Sequence, residues 1–315
     1  MACPTVSIFP CAYRRLASFT RRRAFVFFVA INCLWVAAAQ ALTLATFNVE
    51  NYTVADRMVD GVYRKAYPKP EKEKAAVAQV IAGIAPDILA VQEMGTQAYL
   101  DEFQRELRAA GQDFKFAVVL DAADPDRHVA VLAKFPCKEV KRHGEVATRY
   151  LEVSDVVKRG VLEVIFATDE GDLSVFVIHL KSKRTERPDD PESALQRAAE
   201  AEAVRDLVLA RFPHPAQAKF IICGDWNDTR STRPVRALQK RGDTELGEIL
   251  RAADSRGEAW THYYRKEDSY SRLDYLLVSP ALKPFVAGGQ AKIWDGAGAG
   301  EGSDHRAVYV ELKLK

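Results

Sequence analysis

Five polar clusters stand directly beside apolar, strand-like runs in this chain. The central cluster is GDWND at 224–228, which follows the apolar run 220–223, and a lesser sixth cluster lies at 271–275. Hydrolysis of a phosphate ester requires a cation against the non-bridging oxygens, a base for the attacking water and donors for the developing charge. The clusters hold carboxylates, amides and histidines, which can fill these roles. The other four clusters lie at 46–51, 91–94, 178–183 and 302–306.

Two features of these clusters favour a bound cation. Glu93 ends a buried strand, where a carboxylate is costly unless a cation pairs with it. Asp225 and Asn227 alternate along an extended turn, so both side chains can point into the same space. Taken alone, residues 221–228 would favour an Asx-type turn after a strand. The whole set of clusters instead predicts a site for a hard cation such as Mg²⁺, Mn²⁺ or Ca²⁺.

Histidines and basic residues complete the candidate chemistry. His179 and Lys181 are two positions apart at the end of a strand, so their side chains face the same way. Asp304 and His305 are adjacent, and they can form a catalytic dyad if the turn lets the carboxylate reach the imidazole. Lys181 and Arg159 are candidates for phosphate binding, and an ordinary solvated surface role is the alternative for both.

In order, spacing and residue type, these clusters resemble the endonuclease/exonuclease/phosphatase superfamily, which includes secreted DNases, abasic-site nucleases, sphingomyelinases and inositol-polyphosphate phosphatases. The resemblance extends from Leu42 to the C-terminus. It implies an α/β fold, a four-layer α/β/β/α sandwich of the DNase I type with two packed mixed sheets and one cleft at their strand ends. It also implies a phosphoesterase that depends on Mg²⁺, or on Mn²⁺ or Ca²⁺.

The resemblance also implies a role for each candidate residue. The implied catalytic residues are His179, Asp225, Asn227, Asp304 and His305. The implied metal ligands are Asn48, Glu93, Asp225 and Asp304. The implied phosphate-binding residues are Asn227, Lys181 and Arg159. Asp274 is a supporting acid that orients the site histidines, and a capping or ion-pair role is its alternative. His128 stands where secreted DNases carry a glutamate that supports the equivalent of His179, and a histidine would not play the same electrostatic role.

Motifs shared by the whole superfamily do not separate its substrates. We expect a phosphodiesterase acting on nucleic acid, because the HLKSK run at 179–183 and the export signal favour the secreted nuclease branch. The alternative is a phosphatase or a sphingomyelinase-type phospholipase. A catalytically inactive binding module is disfavoured because the candidate catalytic residues are all present. We expect a monomer with no protein partner.

The N-terminal segment has the pattern of an export signal. Three arginines at 21–23 precede an acid-free apolar run at 24–39, and small residues follow up to Ala41. This order is typical of a signal peptide, and the run is short for a membrane span of about 20 residues. Arg22 and Arg23 also resemble a twin-arginine signal, although Arg21 stands where Ser or Thr is usual. We expect residues 1–41 to be a cleaved signal peptide, or an N-terminal anchor if uncleaved, and residues 42–315 to be the catalytic domain of a secreted or periplasmic protein.

The composition limits the number of domains and the net charge of the mature chain. The 315 residues are 48% hydrophobic and 28% charged, which suffices for one domain with a full core. Residues 1–41 hold five arginines and no acid, so the remainder has 40 basic and 43 acidic residues and its net charge changes from +2 to −3. Only a local basic cleft could then attract nucleic acid. Two cysteines remain, Cys137 and Cys223, and we expect no disulfide between them.

Periodicity predicts strands and helices that alternate without βαβ regularity, so the sheets should be mixed. The helices are predicted at 70–84, 96–110 and 193–212, with a short one after Pro234. The strands are predicted at 42–47, 88–91, 114–120, 128–134, 161–167, 173–179, 220–223, 273–279, 291–294 and 307–314. The strands at 161–167 and 173–179 should form a hairpin.

Overall fold

The computed structural model describes residues 41–185 and 187–314. Residues 1–40 of the segment predicted to be a signal peptide therefore lie outside the described residues. Within that described part, no helix is long and apolar enough to cross a membrane. The α-helices are α1 (Glu71–Ile84), α2 (Gln97–Ala109), α3 (Ala194–Arg211) and α4 (Arg233–Ala237). Short 3-10 turns lie at Pro191–Ser193, Pro215–Gln217, Lys283–Phe285 and Ala287–Gly289.

Two mixed sheets form the centre of the domain. The first sheet has, in spatial order, β16 (Ala252–Ala253), β20 (Ala291–Ile293), β21 (Val308–Leu312), β1 (Leu42–Tyr52), β4 (Ile88–Met94), β6 (His128–Ala133) and β5 (Phe116–Leu120). The second has β15 (Glu248–Ile249), β19 (Asp274–Val278), β12 (Lys219–Asp225), β11 (Gly171–His179), β10 (Val161–Thr168) and β7 (Glu139–His143). The predicted hairpin at 161–179 is present as β10 and β11, which pair antiparallel.

Four two-stranded ribbons lie outside these sheets. They are β2 (Ala55–Val59) with β3 (Val62–Tyr67), β8 (Ala147–Tyr150) with β9 (Val153–Val156), β13 (Lys240–Arg241) with β14 (Thr244–Glu245), and β17 (His262–Tyr264) with β18 (Ser269–Ser271). The sequence did not predict them, because most of their residues are exposed or half-buried and so lack the apolar alternation of a core strand.

Three apolar cores separate four layers. The inner faces of the two sheets enclose one core, which includes Leu44 and Val164. Helices α1 and α2 cover the outer face of the first sheet, where Val77 packs with Phe47. Helices α3 and α4 cover the outer face of the second sheet. Each fully buried Leu or Phe in such cores contributes roughly 1.5–3 kcal/mol. The predicted α/β/β/α sandwich is confirmed.

Helix bounds agree with the prediction to within a residue because their end signals are local. Pro70 precedes α1, and Glu71 and Glu73 occupy its first turn, where carboxylates favour the helix dipole. The helix stops at Ala85, which adopts the left-handed conformation with φ 52°. Pro86 then prevents any continuation of the helix.

Gly224 has a different position from the one predicted. The strand was predicted to end at residue 223, before this glycine, but Gly224 lies inside β12, which continues to Asp225. Its φ is +135°, and a Cβ atom there would lie 1.9 Å from the carbonyl oxygen of Ile178 on the neighbouring strand. Glycine is required because the two backbones approach closely.

The first strand also differs from its predicted end at residue 47. Strand β1 continues to Tyr52, which pairs with Met94 of β4 after a shift in register. Glu50 and Asn51 adopt left-handed conformations, with φ 47° and 51°. This irregularity interrupts the strand pairing at Glu50 and Asn51, and the pairing resumes at Tyr52.

Candidate active site

The predicted site residues meet at one end of the two sheets. In the second sheet, His179 of β11 pairs in register with Asp225 of β12, which pairs in turn with Asp274 of β19. In the first sheet, Asn48 of β1 lies beside Gln92 of β4. The pairs β1–β4 and β11–β12 are parallel, so their carboxyl ends share an edge, which is where α/β proteins place ligands.

Asp225 is the buried centre of this arrangement. Its carboxylate accepts hydrogen bonds from Asn48 Nδ2 at 3.0 Å, from the Asn227 backbone N–H at 2.8 Å and from Asn227 Nδ2 at 3.2 Å. His179 Nε2 lies 3.4 Å from Asp225 Oδ2. Burial raises the pKa of Asp225 to about 7, although the nearby His305 acts in the opposite direction. Because Asn48 belongs to the other sheet, Asp225 also joins the two sheets at the cleft.

His305 takes its partner from a distant strand. Its Nδ1 lies 2.8 Å from Oδ2 of Asp274, whose side chain is fully buried. Its Nε2 lies 3.8 Å from Asp225 Oδ2. Burial alone would lower the pKa of His305, but the charges of Asp274 and Asp225 outweigh it and hold that pKa well above its usual value. The site therefore holds an imidazolium whose Nε2–H faces Asp225.

The sequence placed Asp304 as the partner of His305, and the structure shows a different contact. Asp304 Oδ1 is 3.9 Å from His305 Nε2, beyond hydrogen-bond distance. Asp304 Oδ2 instead lies 3.5 Å from Nε2 of His262, a residue that the sequence analysis did not single out. Partial burial raises the pKa of Asp304, but both histidines act against it and leave that pKa below its ordinary value. The adjacent residues in the chain therefore point to different partners.

An oxygen-rich pocket lies beside these histidines. Glu93 Oε2 accepts the Asn51 N–H at 2.9 Å, and its Oε1 is 4.0 Å from His179 Nε2. Glu50 Oε2 accepts the Asp304 N–H at 3.0 Å. Burial, with Asp304 and Glu93 adding repulsion, raises the pKa of Glu50 to about 7. Carboxylates that repel one another at a cleft fit a hard divalent cation. Among the described residues, the side chains near enough to share one ion are His262, Asp304 and His305, and Asp225, Asp274 and His305. Of the predicted ligands, Asp225 and Asp304 belong to these groups, whereas Glu93 is in neither and Asn48 donates to Asp225.

Several of these residues leave ordinary strand geometry. Glu93 and Asn227 have φ 61° and 53°, as Glu50 and Asn51 also do in β1. Such left-handed conformations cost of order 1–3 kcal/mol each and cluster at functional sites. Here they aim the side chains at the cleft.

The two phosphate-binding candidates are engaged elsewhere. Arg159 is buried and its Nε donates to Asp124 Oδ2 at 2.7 Å, while Nη1 lies 3.4 Å from the Leu180 carbonyl. Lys181 Nζ donates to the carbonyls of Ser182, at 3.2 Å, and of Arg184. Both cations lie close enough to His179 to affect its pKa. Phosphate binding by either residue stays a prediction.

His128 and His179 are buried without a shared hydrogen bond. Both ring nitrogens of His128 and Nδ1 of His179 have no hydrogen-bond partner among the described residues. The nearest carboxylate oxygen to His128, Asp121 Oδ1, is 3.8 Å from its Nδ1. Burial, followed by the positive charges of Arg159 and His305, lowers the pKa of His179 well below its usual value. His179 is therefore neutral, and no carboxylate supports its Nδ1 as the DNase pattern would require.

Three site residues were missed by the sequence analysis. Glu50 stood inside the first polar cluster, which was the one signal available for it. His262 precedes two tyrosines in a polar stretch, and Glu200 lies on the face of α3 turned to the sheet. Glu200 accepts the Lys181 N–H at 2.7 Å. Neither His262 nor Glu200 has a local sequence signal, because the role of each depends on contacts that form only in the folded protein.

The chain is similar to one protein family in sequence and to several solved structures in fold. A family model for the Endonuclease/Exonuclease/phosphatase family matches residues 45–305. No curated protein matches the sequence. Similar solved structures include sphingomyelinase C from Streptomyces griseocarneus, with a TM-score of 0.59 and 14% identity over 86% of this chain and 99% of that chain.

Two further structures are similar. A double mutant of Staphylococcus aureus beta toxin with bound magnesium ions has a TM-score of 0.59 and 15% identity, covering 87% of this chain and 100% of that chain. The human Nocturnin catalytic domain with a bound sulfate anion has a TM-score of 0.58 and 15% identity, covering 87% of this chain and 95% of that chain. At such low identity these similarities show the fold.

Proposed function

The chain belongs to the Endonuclease/Exonuclease/phosphatase family, and from this membership we propose that it is a secreted, divalent-metal-dependent phosphodiesterase that hydrolyses nucleic-acid phosphodiester bonds. Mg²⁺ is the proposed cation, with Mn²⁺ or Ca²⁺ as alternatives. The N-terminal signal pattern supports export to the periplasm or the medium.

One observation carries the proposal of catalysis. A buried row of side chains, His179, Asp225, His305 and Asp274, adjoins the pocket formed by carboxylates at the sheet ends. Buried titratable groups with opposing pKa shifts are typical of acid–base catalysis. An ordinary surface cluster would not bury four such groups together.

The geometry suggests which residues bind the cation and which orient the attacking water. A divalent cation held by the predicted ligands Glu93, Asp225 and Asp304 would neutralise charge on the phosphate oxygens. Asp225 would orient the attacking water, and the hydrogen bonds from Asn48 and Asn227 to its two oxygens support this role.

The two histidines differ in charge, and so in the help they can give. The His305 imidazolium, fixed by Asp274, is a donor to the negative charge that develops on the phosphoryl group. Neutral His179 can donate a hydrogen bond from one ring nitrogen at the same edge. Neither role requires a change of protonation before the substrate arrives.

A substrate panel tests this proposal. The mature protein with Mg²⁺ should cleave plasmid DNA, RNA and a generic bis-ester, and EDTA should abolish the activity. His305→Ala should lose activity, while the exposed histidine variant His214→Ala should retain it. Cleavage of a phosphate mono-ester alone would favour a phosphatase, and cleavage of sphingomyelin alone a phospholipase. Full activity in EDTA would contradict the metal-dependent mechanism, and inactivity on every substrate would favour a binding module.

A further inference from the structure

The β17–β18 ribbon is joined to the catalytic loop by backbone contacts. His262 of β17 forms an isolated bridge with His305, and the Tyr263 N–H donates to the Asp304 carbonyl at 2.9 Å. The ribbon therefore starts at the loop that carries two candidate catalytic residues, and its position relative to them is fixed. A ligand on the ribbon would therefore lie next to the candidate active site.

Aromatic rings are concentrated on this ribbon. Tyr263 and Tyr270 pair across the two strands, and their rings stack with centroids 4.7 Å apart and planes 26° apart. The Trp260 ring lies 4.8 Å from that of Tyr270, and the guanidinium of Arg306 lies 3.5 Å from the centroid of Trp260. Such cross-strand pairs stabilise a ribbon, but stabilisation does not explain why Tyr270 remains 55% exposed.

A cleft connects this aromatic surface with the candidate active site. It has a volume of about 590 Å³, which lies in the range of small-molecule sites. Tyr263, Tyr264 and Tyr270 line it together with Asp304, and Met58 of the β2–β3 ribbon also lines it. A flat group attached to the phosphate can therefore reach the tyrosine rings.

Charged side chains of both signs surround the aromatic surface. Arg265 and Lys266, in the turn of the ribbon, are exposed and form no ion pair within the described part of the chain. Free cations beside an aromatic surface suit a base with its neighbouring phosphate, as in sites for single-stranded nucleic acid. Glu267 and Asp268 share this turn, and acidic residues such as Glu301 and Asp304 line the cleft, so a quaternary ammonium is the competing ligand that the choline ester below separates.

We propose that the β17–β18 ribbon is a stacking platform for a nucleobase adjacent to the scissile phosphate, with Tyr270 as the principal contact. This inference rests on the proposed phosphodiesterase function, which it deepens by naming a nucleoside as the group recognised beside the phosphate. Arg265 and Lys266 contact the next phosphate along the strand.

Three esters with the same leaving group separate the possibilities. They are the p-nitrophenyl phosphate esters of methanol, of thymidine (joined through its 5′ or its 3′ oxygen) and of choline. Wild type should prefer the thymidine esters over the methyl ester in kcat/KM. Tyr270→Ala should reduce this preference roughly tenfold, since base stacking supplies about that much or more. Tyr270→Phe should retain the preference.

A matched control and a binding measurement complete the test. Tyr63 is 56% exposed on the other ribbon, so Tyr63→Ala removes an equally exposed tyrosine and should change nothing. In EDTA, the dissociation constant of a fluorescent thymidine oligonucleotide should rise roughly tenfold in Tyr270→Ala and stay constant in Tyr63→Ala.

The outcomes are distinguishable. A wild-type preference for the choline ester, or an equal preference and equal oligonucleotide affinity in Tyr270→Ala and wild type, would overturn the platform while the phosphodiesterase function stands. Hydrolysis of none of the three esters with Mg²⁺ present would overturn the proposed function itself. Oligonucleotide binding that depends on Tyr270 would still support the platform in that case.

Discussion

The Asp274–His305 hydrogen bond fixes the orientation of the His305 imidazole. Asp274 is fully buried, and its second oxygen, Oδ1, has no hydrogen-bond partner among the described residues. The buried carboxylate therefore relies on His305 for its compensating charge, and the imidazole relies on Asp274 for its orientation. The two side chains should act as one unit.

We expect Asp274→Asn and His305→Ala to lower kcat/KM by similar factors, of roughly 100- to 10 000-fold. The double variant should be little worse than the worse single variant, because either change already disables the pair. The measurement is kcat/KM for the three variants on one bis-ester, with urea unfolding to confirm that each is folded. Losses that multiply in the double variant would show that the two residues act independently.

Asp304 provides the matched comparison. Its carboxylate faces His262 and is not hydrogen-bonded to His305. Losses from Asp304→Asn and His305→Ala should therefore combine more nearly additively in free energy than those from the Asp274 pair.

Glu93 gives a second prediction at the residue scale. Glu93→Gln keeps the shape of the side chain and removes its charge, so the affinity for Mg²⁺ should fall. At sub-saturating metal the variant should lose several kcal/mol of transition-state stabilisation, and its kcat/KM should fall accordingly. Titration calorimetry with Mg²⁺ and kcat/KM against metal concentration measure both effects. Excess Mn²⁺ should restore part of the activity. Glu71→Gln, on the exposed start of α1, is the control, and unchanged metal affinity in Glu93→Gln would remove Glu93 from the ligand set.

At the scale of elements, helix α3 holds the ends of the strands that carry the site. Glu200 accepts the backbone N–H groups of Lys181, at 2.7 Å, and of Lys158, at 3.3 Å. Arg197 forms a buried ion pair with Asp228 at 2.8 Å, next to the turn after β12. One helix thus anchors three segments through two buried charged side chains.

Burial raises the pKa of Glu200 to about 6, from an ordinary 4.5. A carboxyl group with a raised pKa binds its proton more tightly in the folded protein. Its contribution to stability is therefore complete below about pH 4.5 and is lost as the pH rises through 6. The difference between the two pKa values corresponds to about 2 kcal/mol.

We expect Glu200→Gln to remove this dependence on pH. Relative to the variant, wild type should lose about 2 kcal/mol of unfolding free energy between pH 4.5 and pH 7. Urea unfolding at several pH values measures the difference. Glu202→Gln, two positions along the same helix and paired on the surface with Arg233, should follow wild type. Parallel curves for wild type and Glu200→Gln would mean that Glu200 ionises at an ordinary pH.

At the scale of the molecule, the sequence predicted what local patterns determine. Helix ends followed from Pro70 and similar signals, and buried strands followed from apolar runs. The four-layer arrangement followed from the order of the motifs and their resemblance to a family, since periodicity alone indicates only α/β. The partner of His305 could not be predicted, because Asp274 is 31 positions away and reaches it only through the pairing of β12 with β19. The role of His262 likewise depends on a ribbon without an apolar pattern.

The folded domain starts next to the predicted cleavage site. Strand β1 begins at Leu42, which is buried to 1% exposure and pairs with Leu312. The Thr43 N–H also donates to Asp87 Oδ2 at 2.9 Å. A mature chain that lacked Leu42 would lose a buried side chain worth roughly 1.5–3 kcal/mol. The fold therefore favours cleavage just before this strand.

We expect the N-terminus of the exported protein to lie between Ala38 and Thr43, because the apolar run at 24–39 has the length and flanks of a cleaved signal. Intact mass measurement of protein recovered from the periplasm or the medium gives the position. If the signal is of the twin-arginine type, a variant with Arg22→Lys and Arg23→Lys should accumulate inside the cell, whereas Arg14→Lys should be exported normally. Exported protein that retains Met1 would contradict cleavage, and its recovery with the membrane fraction would make the segment an anchor.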